Sequence, residues 1–173
     1  MNVSLSAACG AAAAAIALAS AGSALAAPGD WTGLPVDPNV ITDSMAYTAA
    51  PPVQNPNGQP GVQAVFTHRD NSRTITDTIL VLSDPAAATA ALKDPTPGLL
   101  DGRTMPAAVG TGGTMLVGDS QDGTKSITVV KFTEGGTAAI IEFSGAVGDP
   151  VPSDLAMDYA QRQATAIKDA GAL

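Results

Sequence analysis

The sequence predicts an α+β domain: an antiparallel sheet of about five strands with two helices packed on one face. Three observations lead there. From Gly61 onward, stretches rich in Val, Ile, Thr and Phe are separated by short turns such as HRDNSR, SQDG and EGG, the punctuation expected of hairpins. Two alanine-rich stretches each follow a residue suited to capping a helix. The order strand, strand, helix, three strands, helix lacks the regular alternation of parallel βαβ units and implies antiparallel neighbours.

The first 26 residues stand apart from this domain. Met1 to Ala26 contain no charged side chain, and 19 of the 26 are apolar, most of them alanine. Ala24-Leu25-Ala26 supplies the small-x-small pattern of a signal-peptide cleavage site. Pro28 and Asp30 follow, and neither extends an apolar helix. The apolar tract is shorter than the roughly 20 residues a bilayer span requires. We read residues 1–26 as a secretory signal peptide cut after Ala26, although its leading segment has no Lys or Arg. Cys9 is the only cysteine. Ser6 stands where a lipoprotein signal carries Leu, so Cys9 reads as part of the discarded leader. The mature chain then has no thiol and no disulfide, and its stability rests on packing.

Cleavage leaves 147 of the 173 residues, enough for one domain that buries about 68% of its unfolded surface. The net charge of −8 falls wholly in this part. No basic stripe is present to neutralise phosphates, which argues against nucleic acid and anionic lipid headgroups as partners. Only Trp31, Tyr47, Phe66, Phe132, Phe143 and Tyr159 are aromatic, too few for a stacking platform.

Residues 27–60 form a Pro/Gly-rich segment expected to wrap the domain or make an edge. Within it, Asp37-Pro38 suits the start of one helical turn, and Asn57-Gly58 a tight turn. The α+β domain proper is expected over residues 61–173. Val62 to Phe66 and Thr74 to Leu82 read as a hairpin. The second strand alternates at first, with Ile75, Asp77, Ile79 and Val81 on one side, and is apolar on both sides at its end. Asp84-Pro85 opens a helix through AAATAALK. GRTMPAAVGTGG reads as a connection. Three strands follow, roughly Thr114 to Gly118, Lys125 to Thr133 and Thr137 to Ser144. Ser126, Thr128, Val130 and Phe132 share one face of the middle strand. A last helix runs from about Ser153, read as its N-cap, to Asp169. Ala156, Tyr159, Ala160, Gln163, Ala164 and Ile167 form its inward stripe.

The chemistry-bearing residues do not assemble into a catalytic set. His68 lies in HRD, the tripeptide of protein-kinase catalytic loops, but Asn71 and Ile75 stand where that motif needs Leu and Asn. A serine triad has no G-x-S-x-G elbow. GTGGT, Gly110 to Thr114, precedes a strand rather than the helix a phosphate loop needs. GDSQDG, Gly118 to Gly123, lacks the third ligand and closing acid of a calcium loop. One His and no mature Cys leave little for zinc or copper. Asp77, Glu142 and Asp158 are acids near apolar residues, read as solvated. We therefore assign no catalytic, cofactor-binding or metal residues, and expect no cofactor.

The order of elements carries a resemblance. A hairpin, then DPAAATAAL, a meander such as KSITVVKFTEGGTAAIIEFSG, and the closing PSDLAMDYAQRQATAI together resemble the LpqN-type lipoproteins and secreted proteins of mycobacteria. The resemblance covers about Gly61 to Ala170 and implies a PsbP-like α+β domain behind an export signal, with no catalytic motif. This chain departs from that family in lacking a lipid-bearing cysteine and a long Pro/Thr-rich tether. The expected function is therefore a secreted, non-enzymatic binding or interaction protein of the cell envelope or extracellular space. Its expected partner is a protein or an apolar ligand there, without nucleic acid and without a stable membrane anchor. The alternative is a small secreted hydrolase using carboxylates such as Asp77 or Glu142.

Overall fold

The computed structural model describes residues 29–42, 44–93 and 98–171. Residues 1–26, read from the sequence as a signal peptide, lie outside the described residues, Cys9 among them. The architecture is α+β, built on one sheet whose described strand pairs are all antiparallel. Its strands are β1 (Tyr47–Ala49), β2 (Val53–Gln54), β3 (Gly61–His68), β4 (Thr74–Val81), β5 (Leu100–Pro106), β6 (Thr111–Asp119), β7 (Lys125–Glu134) and β8 (Thr137–Ala146). The helices are α1 (Asn39–Thr42), α2 (Pro85–Ala91) and α3 (Ser153–Asp169). The strand order is β1-β3-β4-β8-β7-β6-β5, and β2 also pairs with β3.

Among the described residues, eight strands replace the expected five or so. The additional ones are β1, β2 and β5. β1 and β2 come from the Pro/Gly-rich segment and share the outer side of β3. β5 takes in the first part of the stretch read as a connection, and every residue in it is exposed. It is an edge strand held by β6, with a bulge between Leu100 and Arg103. Its pairing, not its own hydrophobicity, makes it a strand. β6 likewise starts earlier than expected, through Gly112 and Gly113. A Cβ on Gly113 would stand 2.4 Å from the carbonyl oxygens of Ala107 and Val109, so only glycine fits that turn.

The helices are not on one face. Register places Ile75, Asp77, Ile79 and Val81 of β4 on the same side as Ile141 and Phe143 of β8 and Val130 and Phe132 of β7. α3 packs there through Ala156, Tyr159, Ala160 and Ile167, forming the main core. α2 packs on the opposite face, where Ala88 meets Leu80, Leu82 and Ala138. The reason is visible in β4, whose last residues are apolar on both sides because both sides are covered.

Local signals set the ends of elements. Asp84 caps α2 by accepting from the Ala87 N–H at 2.8 Å, with Pro85 in the first turn. Asp37 accepts from the Asn39 N–H at 2.9 Å and starts α1. The N-cap of α3 is Pro152 rather than Ser153, with no side-chain cap bond. Asp154 in its first turn and Lys168 in its last suit the two ends of the helix dipole.

Candidate functional site

The segment ahead of β1 is fastened to α3 by a pair of side chains one turn apart. Gln163, fully buried, donates from Nε2 to the Leu34 carbonyl at 2.9 Å and accepts from the Val36 N–H at 2.8 Å. The Tyr159 hydroxyl donates to the Val36 carbonyl at 2.7 Å. The i, i+4 spacing puts both side chains on one helix face. Further on, the Asn39 amide brackets Tyr47, accepting from its N–H at 2.9 Å and donating to its carbonyl at 3.1 Å. The segment is thereby tied to α3 at one end and to the start of β1 at the other.

These contacts create a cleft of about 70 Å³ between α1, the first turns of α3 and the ends of β4 and β8. Pro38, Ile41, Ile75, Phe143, Val151 and Leu155 supply its apolar surface. Tyr47, Tyr159 and Arg73 complete the lining, with the Tyr159 hydroxyl already bonded to Val36. Phe143 and Tyr159 meet edge to face, with centroids 5.7 Å apart, a favourable aromatic geometry. A narrow extension of about 10 Å³ continues past Ser144, Gly145 and Asp149. At the rim, Arg73 Nη2 pairs with Asp149 at 2.6 Å.

The β3–β4 turn forms another part of the rim. His68 Nδ1 meets Asp70 at 2.5 Å, and the His68 ring stands edge-on to Tyr47. Ser72, and to a smaller extent His68, hold the Asp70 carboxyl well below its ordinary pKa. HRD is thus a hairpin turn, as its sequence context suggested.

Behind Tyr159 lies Asp77, fully buried. Burial pushes its pKa up to about 7, against a smaller opposing effect of Tyr159. Its Oδ2 is 3.3 Å from the Tyr159 hydroxyl, and its Oδ1 has no hydrogen-bonding neighbour. Tyr159 has one proton, and the Val36 carbonyl is the nearer acceptor. A neutral Asp77 carboxyl completes the chain by donating to the Tyr159 oxygen, and an ionised one competes with Val36 for the Tyr159 proton. Burial and the neighbouring Asp77 both keep the Tyr159 phenol protonated.

The three acids singled out from the sequence do not converge. Asp77 points inward under α3, contrary to the solvated reading. Glu142 pairs with Thr76 and lies on the other face of the sheet. Asp158 bonds Arg162 at 3.1 Å on α3. GTGGT is the bulged start of β6. GDSQDG forms the β6–β7 hairpin, where Asp122 accepts from the Ser120 and Thr124 hydroxyls at 2.5 and 2.8 Å. Among the described residues, no group of three or more His, Cys, Asp or Glu is placed to hold a metal ion. No described helix is long and apolar enough to cross a membrane.

Sequence reasoning placed Tyr159 and Gln163 on the inward stripe but missed their grip on residues 34–36. It also missed the contribution of α1 to the cleft. The available signal was the two polar side chains spaced by four within an otherwise small, apolar stripe.

No protein-family model, curated protein or solved structure matches this chain. What the site can do follows from its own geometry. It can exclude water from a small apolar group and present Tyr47 and one guanidinium at the border.

Proposed function

We propose that this chain is an exported, non-enzymatic binding protein of the cell envelope or extracellular space, and that the cleft beside α3 receives an apolar group of its ligand. The single observation that carries this reading is the concave apolar surface of Ile41, Ile75, Phe143 and Leu155 with few polar groups around it. The uncharged alanine-rich leader supports export, and the resemblance to LpqN-type secreted proteins supports a non-catalytic role. The carboxylate-hydrolase alternative gains no comparable support, because Asp77 and Glu142 face opposite sides of one sheet.

The test uses the full chain, expressed with its leader and recovered from the culture medium. N-terminal sequencing is expected to begin at Ala27. A retained alanine tract, or recovery from cytosol alone, contradicts export. Incubation with a cell-envelope lipid extract, followed by mass spectrometry, is expected to show a co-purified ligand. Leu155→Trp, which fills the cleft mouth, is expected to lower its yield. Repeated clean blanks from correctly folded protein overturn the binding role.

A further inference from the structure

The chemistry of the cleft's border narrows the ligand class. This step rests on the cleft being a ligand site. Among the described residues, Arg73 is the only charged side chain lining the main cleft. It belongs to the turn that also carries His68 and Arg69, on a chain whose net charge is −8. Its stem lies along Gly145, where a Cβ would stand 3.7 Å from its Cγ. Its side chain is 29% exposed and bonds Asp149 through Nη2. Asp149 is 63% exposed, on the loop between β8 and α3. A guanidinium presents five N–H donors in a planar fork, so a ligand anion can engage through two nitrogens where Asp149 uses one.

Asp149 is itself a carboxylate beside the narrow extension of the cleft, and it is the anion that Arg73 engages in this structure. An exposed pair of this kind holds weakly and is readily exchanged. Tyr47, close enough to Arg73 to feel its charge, lines the same border and offers a hydroxyl. Several exposed apolar residues, Val40, Met45, Val147 and Leu155, belong to the segments that frame the opening.

We propose that the cleft binds a small anionic amphiphile, with a carboxylate or phosphate-monoester head on Arg73 and a ring-sized apolar body on Ile41, Ile75, Phe143 and Leu155. The head takes the place of Asp149 on the guanidinium, a change of partner rather than the desolvation of a lone charge. The body replaces water over the apolar floor.

Calorimetric titration of the full chain with phenylacetate, phenyl phosphate and phenylethanol tests this directly. The two anions are expected to bind about tenfold or more tightly than the alcohol. Whichever anion binds more tightly names the preferred head. Arg73→Met is expected to remove the difference, whereas Arg162→Met, away from the cleft, is expected to preserve it. Asp149→Asn is expected to tighten the anions a few-fold by removing the internal competitor. If the alcohol binds as tightly as the anions to the unaltered chain, the anionic head is wrong while the cleft remains a binding site. Equal losses in Arg73→Met and Arg162→Met reduce the effect to net charge and also overturn the head assignment. If none of the three binds, the cleft reading itself fails.

Discussion

On one face of the sheet, Ile79, Val130, Phe132 and Ile141 are sealed beneath α3 and the N-terminal segment. On the other, Gln63, Thr74, Thr76 and Thr78 are half-buried, and α2 covers the corner around Leu80 and Ala138. The same strands supply both faces, so strand propensity does not explain the contrast. Cover does. The α3 face contains buried polar side chains, Thr128 and Asp77 with Tyr159 and Gln163, and it is this face that opens into the cleft. Buried polar groups are tolerated there because nearly all have partners, and those partners fasten the chain segment that forms the cleft wall.

The contrast is sharpest in large-to-small substitutions. Phe132→Ala on the α3 face is expected to cost about 3–5 kcal/mol. Thr76→Ala on the other face is expected to change stability by no more than about 0.5 kcal/mol. Urea unfolding at neutral pH measures both, and similar losses would erase the distinction between the faces.

The next effect is a dependence on pH. Asp77 has a folded-state pKa raised to about 7, above the roughly 3.9 of an unfolded chain. Its contribution is therefore fully present below about pH 4 and is lost as pH rises through 7. Over that window its share of the stability falls by up to about 1.4 kcal/mol per pH unit. Asp77→Asn is expected to flatten this slope when stability is measured from pH 4 to 8. An unchanged slope would show that Asp77 is not the buried titrating group.

Smaller again is the fastening of the N-terminal segment. Gln163→Leu leaves the Leu34 carbonyl and the Val36 N–H without their partners, at an expected cost of about 1–3 kcal/mol. Hydrogen exchange is expected to accelerate at Val36 more than at amides of β7. The smallest effect belongs to the lightly covered face, where Asp84→Ala removes the α2 cap for about 1 kcal/mol.

The parts legible from the sequence were those that carry their own burial. β3, β4, β7, β8 and α3 have apolar residues at a clear period of two or of 3.6, and their bounds came out close. β5 was not legible because all of its residues are exposed and it contains Gly102 and ends at Pro106. Only its bonds to β6 define it. β1 and β2 are too short to show a period. The side on which α2 packs was readable in principle, since Leu80 and Leu82 made the end of β4 apolar on both faces. The interior place of Asp77 was readable too, because it shares a register with Ile75 and Ile79. It was read as solvated because charge alone, without knowledge of Tyr159 above it, favours solvent. The cleft depends on residues 34–47 crossing α3, a long-range arrangement that no local period encodes.

The most direct measurement is a methyl-resolved NMR titration of the full chain with phenylacetate. Shifts are expected at Ile41, Ile75, Val151 and Leu155, while Ile127, Val129 and Ile140 on the opposite face stay in place. Shifts confined to that opposite face, or no shifts at any methyl, would contradict the assignment of the cleft as the binding site.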